Sequence, residues 1–127
     1  MDEGCQERPG SSREFGAAGR LQVVARWECS DGAEIRVVRW ELRGGARDLM
    51  HWARGQAFAP DAEAEPEETW AAGVALERRA GPSARWDTVR RQELTGRDPR
   101  LFAARLNGWE AGLRDRAQRL ARKQAPQ

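Results

Sequence analysis

The side chains with the clearest capacity for binding chemistry in this sequence are its arginines, which make up 21 of the 22 basic residues. A guanidinium group is planar and donates two parallel hydrogen bonds, which suits it to phosphates and carboxylates. However, Ala, Gly and Arg together account for 55 of the 127 residues, and GC-rich coding produces that bias without selection for function. The positions of the arginines therefore carry more weight than their number.

The charge of the chain is divided unevenly between its two halves. Residues 1–77 hold nine basic and fifteen acidic side chains, a net charge of −6. Residues 78–127 hold thirteen basic and five acidic side chains, a net charge of +8. Such asymmetry is typical of contact with nucleic acid or another acidic surface. The alternative is that the halves neutralise each other within one fold, with the acidic residues of 61–68 lying against the basic segment.

Ten basic residues of the second half form the candidate set for phosphate contacts. They are Arg90, Arg91, Arg97, Arg100, Arg105, Arg114, Arg116, Arg119, Arg122 and Lys123. Phosphate contacts need only exposed cations on one side of an element, without a fixed register along the bases. We therefore expect a nucleic-acid partner that is bound through its phosphates. The competing explanation is a basic helix end that faces solvent, where the helix dipole also favours cations.

A helix–turn–helix unit is a more specific version of the same hypothesis. It would use residues 84–94 as the first helix, a turn at 95–96 and a last helix over 99–122 as the reader. Arg100 and Arg105 lie near the start of that last helix, from which side chains can reach base edges. Against this version, the second helix is too long, and Leu101 and Phe102 in its first turn are typical of a core.

The last helix also suggests a protein partner, either a second copy or another protein. Its apolar residues follow steps of four and three, and they are Phe102, Leu106, Trp109, Leu113 and Leu120. This spacing is typical of a helix that pairs with a partner helix, although Arg116 occupies one position of the series. Because the series spans fewer than three heptads, burial against the rest of the chain competes with partner binding. We expect no membrane partner, since the apolar face is short and rich in Ala.

The sequence gives little support for catalysis. The one histidine, His51, follows Asp48 by three residues and could form an acid–base pair with it, with Cys29 as nucleophile. The alternative is a surface histidine beside a carboxylate at a helix start, and no pattern places Cys29 near it. One His and two separated Cys do not supply a four-ligand zinc site, and phosphate-loop patterns are missing. We therefore predict a non-enzymatic protein with no catalytic residue, cofactor, metal or identifiable small-molecule substrate.

The core that must position these residues contains few large aliphatic side chains. Leu, Ile, Val and Phe contribute only 19 of the 127 residues, but six tryptophans and a net charge of +2 argue against disorder. We predict one small α+β domain over residues 20–123, between a mobile tail at 1–19 and a short tail at 124–127. Cys5 in the first tail and Cys29 do not form a disulfide framework.

The predicted location is the reducing cytoplasm. The longest apolar run, Trp70–Leu76, is far shorter than the roughly 20 residues that a membrane-spanning helix needs. The first residues carry three acidic side chains and no apolar stretch, which is unlike a secretory signal.

The strongest local pattern is a β-hairpin over about residues 20–43. Apolar residues alternate with polar ones along the first strand, and Asp31-Gly32 supplies the turn because both residue types tolerate positive φ. In the return strand the apolar phase changes between Val37 and Val38. A two-residue loop would leave Val37 and Val38 on opposite faces. A three-residue loop with a bulge near Val37–Val38 would put both apolar sets on one face.

We favour the bulge, which would also place Glu28 across from Arg36. The rest of the chain is predicted to be helical, apart from an acidic linker at 58–66. The predicted helices cover residues 46–57, packed on the hairpin, and then 67–80, 84–94 and 99–122.

The last helix begins favourably, with Asp98 as a capping residue before Pro99. It also carries Gly108 and Gly112, each of which costs about 1 kcal/mol relative to Ala in an exposed helix. Two such glycines predict close packing or a kink near Trp109.

Overall fold

The computed structural model of the chain describes residues 4–14, 19–43, 70–96 and 99–123. Within them, one antiparallel sheet of six strands is packed against one C-terminal helix, which confirms the predicted α+β class. The elements are β1 (Cys5–Arg8), β2 (Ser11–Glu14), β3 (Gly19–Cys29), β4 (Glu34–Arg43), β5 (Trp70–Arg79), β6 (Asp87–Gly96), a 3-10 turn (Pro99–Phe102) and α1 (Ala103–Lys123). Both β1 and β2 pair with β3, and the sheet continues through β4 and β5 to β6.

The predicted hairpin is confirmed as β3 and β4, and its loop has three residues. The backbone N–H of Cys29 donates to the carbonyl oxygen of Ala33 at 2.9 Å, which closes the loop over residues 30–32. Asp31 accepts a hydrogen bond from the backbone N–H of Ala33 at 2.9 Å. Gly32 has a φ of 91°, a conformation that glycine adopts without steric penalty. The loop therefore forms where Asp31-Gly32 predicted it.

The bulge of the hairpin lies in β3 rather than in β4. Val23 pairs with Val38 and Ala25 pairs with Val37, so Val24 is the extra residue. The bulge therefore lies in the strand that pairs with the predicted position, and β4 continues without interruption. Consecutive side chains of an uninterrupted strand point to opposite faces, so Val37 and Val38 do not share a face. The prediction that both apolar sets share one face is wrong.

The predicted pairing of Glu28 with Arg36 is also wrong. Glu28 lies across from Glu34, and Arg26 lies across from Arg36. The like charges are compensated within the sheet, because Arg26 contacts Glu28 at 2.9 Å and Arg79 pairs with Glu34.

The two faces of the sheet carry separate buried clusters. On the helix face, strand residues such as Val37 and Leu76 pack with Leu106 and Leu113 of α1. On the second face, Trp40 lies within a smaller cluster. The buried residues of that cluster are Val38, Trp40, Leu42, Ala71 and Ala75. The central strands β4 and β5 are therefore apolar on both sides.

The predicted helix over 67–80 is wrong, since residues 70–79 form β5. Seven successive residues, Ala71–Glu77, are buried because β4 and β6 flank the strand and both of its faces are covered. A strand that is buried on both faces loses the alternation of apolar and polar residues. An alanine-rich run without alternation resembles a helix, and this resemblance caused the error.

The predicted helix over 84–94 is wrong as well, since residues 87–96 form β6. The ladder between β5 and β6 shifts at Val89, which lies between the pairs made by Thr88 and Arg90. One extra residue changes the phase of the strand, so the apolar alternation is interrupted. The predicted helix 46–57, the linker 58–66 and the tail 124–127 lie outside the described residues.

The N-terminal residues take part in the sheet. Residues 5–8 and 11–14, which we predicted to belong to a mobile tail, are the strands β1 and β2. Cys5 lies directly across from Cys29 in the ladder, and the two form a disulfide bond. The interpretation of the two cysteines as unpaired is therefore wrong. Four-residue edge strands carry no apolar periodicity, and the long strand β3 supplies their hydrogen-bonding partners.

The last helix is confirmed, and it packs on the sheet through one side. On that side, Leu106, Leu113 and Ala117 of the helix are fully or almost fully buried against the sheet. Apart from the chain neighbours and the adjoining helix backbone, no described atom lies within 4 Å of a Cβ built at Gly108 or Gly112. The close packing predicted at these glycines is therefore not present in the described part of the chain.

We expect Gly73→Ala to destabilise the fold. A Cβ at this position would lie 2.5 Å from Cζ2 of Trp40 and 2.7 Å from the carbonyl oxygen of Gln92. Overpacking of this kind costs about 1–3 kcal/mol, and urea unfolding followed by circular dichroism measures it. The control is Gly112→Ala, which fills open space and should stabilise by up to about 1 kcal/mol. A Gly73→Ala variant as stable as the parent protein would contradict the packing of Trp40 over β5.

Candidate nucleic-acid interface

Most arginines of the sheet are held by carboxylates of the sheet. The Nε of Arg36, for example, lies 2.8 Å from Oε1 of Glu77, whose side chain is only 5% exposed. The ion pairs between described strand residues are Arg8–Glu28, Arg20–Glu41, Arg26–Glu28, Arg36–Glu77, Arg39–Glu41, Arg79–Glu34 and Arg91–Glu93. Each of these arginines has a carboxylate partner in the sheet, and the pairs made by Arg36, Arg39, Arg79 and Arg91 are the more buried ones.

Arg91, one of the predicted phosphate contacts, belongs to this structural group. Its side chain is 13% exposed, and its Nε lies 3.2 Å from Oε2 of Glu93. Its guanidinium carbon lies 4.4 Å from the ring centroid of Trp40 on the second face. A cation over an indole ring is attracted by the negative face of the ring. Arg91 is therefore held within the sheet and does not belong to the candidate interface, whereas its neighbour Arg90 is exposed.

A second group of cations has no ion-pair or hydrogen-bond partner among the described residues. Its members all lie beyond residue 77, and they are Arg78, Arg85, Arg90, Arg105, Arg116, Arg122 and Lys123. The segment 99–123 alone carries seven basic and two acidic side chains, a net charge of +5. The excess positive charge of the described chain is therefore concentrated on α1 and the strands beside it.

Four basic residues of α1 form one line along the helix, which we call the basic stripe: Arg105, Arg116, Arg119 and Lys123. At 100° per residue these positions fall within a sector of about 60°. All four are exposed. Arg119 lies 3.2 Å from Asp115, but both side chains are more than half exposed, so the pair contributes little and leaves Arg119 accessible.

The opposite flank of α1 is tied to β4. Arg39 donates hydrogen bonds from Nη1 to Oδ1 of Asn107 at 2.7 Å and to Oε1 of Glu110 at 3.1 Å. Together with residues of β2 and β3, this flank lines an open groove of about 510 Å³ that also includes Arg114. Since this flank faces β2 and β3, the basic stripe faces the other side, toward β5 and β6.

The strands on that side add to the positive surface. Arg90 pairs with Leu76, whose side chain lies in the helix-face cluster. Directly paired residues share a face of the sheet, so Arg90 points to the helix face. Arg78 lies two residues beyond Leu76 in β5 and shares the same face. The candidate interface therefore consists of the basic stripe together with Arg78 and Arg90.

The remaining predicted phosphate contacts lie elsewhere. Arg114 is on the flank held by Arg39, 3.9 Å from Glu110. Arg122 is exposed on the side of α1 that faces away from the sheet, and Arg100 is exposed in the 3-10 turn. Arg97 lies outside the described residues. Arg78 belongs to the candidate interface although the predicted set omitted it, because residues 67–80 were assigned to a helix.

The apolar residues proposed to contact a partner helix are used within the chain. Phe102, Leu106 and Leu113 are buried against the sheet, and Trp109 and Leu120 are partly buried against the same cluster. Assembly through this apolar seam would require α1 to leave its own sheet. A partner protein would therefore need another surface.

The helix–turn–helix hypothesis is wrong, because residues 84–94 include strand β6 instead of a first helix. The proposed nucleophile Cys29 is bonded to Cys5 and has no free thiol. Its proposed partners Asp48 and His51 lie outside the described residues. Within the described ranges there is no group of three or more potential metal ligands, and no helix has the length and apolar character needed to cross a bilayer.

Comparison with protein-family models, curated proteins and solved structures finds no match to this chain. Function must therefore be inferred from the chemistry of the site itself.

The neighbours Arg90 and Arg91 should respond differently to the same substitution. We expect Arg91→Gln to lower the free energy of unfolding by about 1–2 kcal/mol, because it removes the contact with Trp40 and the ion pair with Glu93. Arg90→Gln should change it by less than about 0.5 kcal/mol, as is usual for an exposed side chain. Urea denaturation of the two variants measures the difference, and equal effects would contradict the division into structural and free arginines.

Proposed function

We propose that this protein binds nucleic acid through its phosphates, using the basic stripe with Arg78 and Arg90. The observation that supports it best is the separation of the charges. The described arginines that face carboxylates lie mainly within the sheet, whereas five of the seven cations without a partner lie on one flank of α1 and the adjoining strands: Arg78, Arg90, Arg105, Arg116 and Lys123. Cations that no internal carboxylate neutralises are available to an external polyanion.

The shape of the surface suits a linear polyanion. From Arg105 to Lys123 the basic stripe spans 18 residues, or about 27 Å at 1.5 Å per residue. A ligand with regularly spaced phosphates can meet such a line at several points, and these contacts do not depend on base sequence. The proposed binding is therefore independent of sequence and strongly dependent on salt.

The proposed role is binding without catalysis. Among the described residues, the basic stripe and its two neighbouring arginines include no nucleophile and no carboxylate–histidine pair. Cations of this kind hold a phosphate backbone through charge and hydrogen bonds. The protein would accordingly act as a nucleic-acid-binding module.

The cytoplasm remains our proposal for the compartment, since nucleic acid is available there. The Cys5–Cys29 bond instead favours an oxidising compartment, because disulfides are uncommon in reducing compartments. In the cytoplasm the pair would be reduced, and β1 would be held to β3 by backbone hydrogen bonds and the Arg8–Glu28 ion pair.

The double variant Arg105→Gln/Arg116→Gln should bind a nucleic acid less tightly. Loss of two phosphate contacts should reduce the slope of log K against log salt by about 1.4 for a single strand. At 0.1 M salt this corresponds to an affinity about 10- to 30-fold lower. Fluorescence anisotropy of a labelled oligonucleotide, measured between 20 and about 200 mM salt, gives both quantities.

The matched control is Arg8→Gln/Arg20→Gln, which removes the same charge from arginines paired with Glu28 and Glu41. The control should lower the affinity less than threefold, an effect on the order of 0.6 kcal/mol. Equal losses in the two double variants would show that net charge rather than the basic stripe is responsible. Binding without a salt dependence would contradict the proposed function outright.

A further inference from the structure

Trp109 lies at the border between the buried side of α1 and the basic stripe. It follows Arg105 by four residues and precedes Arg116 by seven, so the three side chains emerge from neighbouring parts of the helix surface. Its indole is only partly buried and packs against the same cluster as Val89 and Leu94 of β6. The exposed part of the ring therefore adjoins the cations proposed to hold phosphates.

The other described tryptophans do not lie on α1. Trp70 is partly buried against the same cluster as Trp109, but it begins β5 and pairs with Gly96. Trp27 and Trp40 are buried, with exposures of 4% and 1%. Trp86 is covered by the guanidinium groups of Arg36 and Arg79, at 4.0 and 4.4 Å from its ring centroid. Trp109 is therefore the described tryptophan that lies on α1 beside the basic stripe.

The helix surface next to Trp109 is bare backbone. Gly108 precedes it and Gly112 lies one turn further on, and apart from the chain neighbours and the adjoining helix backbone, no described atom lies within 4 Å of a Cβ built at either position. Glycine is unfavourable in an exposed helix, and the described chain does not use the space that these glycines leave. A planar group can therefore approach the indole from this side without meeting a side chain of either residue.

A partly exposed indole between cations discriminates between forms of nucleic acid. In a duplex the faces of the bases are stacked on each other, so a surface tryptophan has no base face to contact. In a single strand each base has a free face, and stacking on an aromatic side chain is favourable for every base type. Phosphate contacts to Arg105 and Arg116 would hold the strand on both sides of the ring.

We infer that the ligand is single-stranded nucleic acid, with one base stacked on Trp109 while the basic stripe holds the phosphates. The inference rests on the proposed function and deepens it, since the arginines supply the general affinity and Trp109 supplies the preference for unpaired bases.

The test compares a labelled 12-nucleotide strand, chosen without self-complementarity, with the duplex that it forms with its complement. Both are titrated with the full chain at one salt concentration and followed by anisotropy. We expect the single strand to bind on the order of tenfold tighter, the range of one aromatic stacking contact. Trp109→Leu should remove that difference by weakening the single strand and leaving the duplex unchanged. Trp109→Phe should retain most of it, because a phenyl ring still stacks.

The control is Trp86→Leu, which removes a partly buried tryptophan that is stacked with Arg36 on the second face of the sheet. It should leave the affinity for the single strand within about twofold of the parent value, below the range of one stacking contact. Circular dichroism melts of all three variants show whether the fold is retained.

The outcomes separate the two claims. Equal affinity for single strand and duplex, with both lowered by Arg105→Gln/Arg116→Gln and neither by Trp109→Leu, would overturn the inference and leave the proposed function intact. An equal loss for Trp109→Leu and Trp109→Phe would show a packing effect and would also overturn it. No binding of either ligand at low salt would overturn the proposed function and the inference together.

Discussion

The packing of α1 on the sheet is the interaction on which the rest of the structure depends. Leu106, Leu113 and Ala117 fill the helix face and fix which side of the helix points inward. Arg39, through its bonds to Asn107 and Glu110, fixes the flank that faces β2 and β3. Because these two sides of the helix are fixed, the basic stripe lies on the remaining flank, toward β5 and β6. The location of the candidate interface thus follows from an apolar contact and one buried arginine.

The second constraint is electrostatic. The carboxylates of the strands lie where they can pair with arginines of the same sheet, as in Arg36–Glu77 and Arg91–Glu93. Buried charges must be paired in this way, since an unpaired charge with little access to water is strongly unfavourable. The helix carries only two carboxylates, Glu110 and Asp115, which lie near Arg114 and Arg119. Its other cations, Arg105, Arg116, Arg122 and Lys123, have no partner in the described chain. The uneven division of charge along the sequence becomes, in three dimensions, a sheet whose arginines are mostly paired with carboxylates beside a cationic helix flank.

The elements that could be predicted from sequence are those with a regular apolar period or a clear turn signal. The hairpin and the last helix each show their period clearly, and both are confirmed. Strand β5 was missed because both of its faces are buried, and β1 because its partner is distant in sequence. The site divides similarly: the exposed arginines of α1 were found, but Arg91 could not be distinguished from Arg90 without knowing that Trp40 lies beside it. Trp109 was assigned only to the apolar seam, since its position at the border of the basic stripe becomes evident only when the inward side of α1 is known.

The most direct test of this account is a nuclear magnetic resonance titration of the isotope-labelled protein with a short single-stranded oligonucleotide. If a single strand binds across the basic stripe and Trp109, the backbone amides of Arg105, Gly112 and Arg116 and the indole N–H of Trp109 should shift together as the ligand is added. The amide of Glu110, on the flank held by β4, should move little. Shifts concentrated on the Glu110 side of the helix, or no shifts on α1 at all, would contradict it.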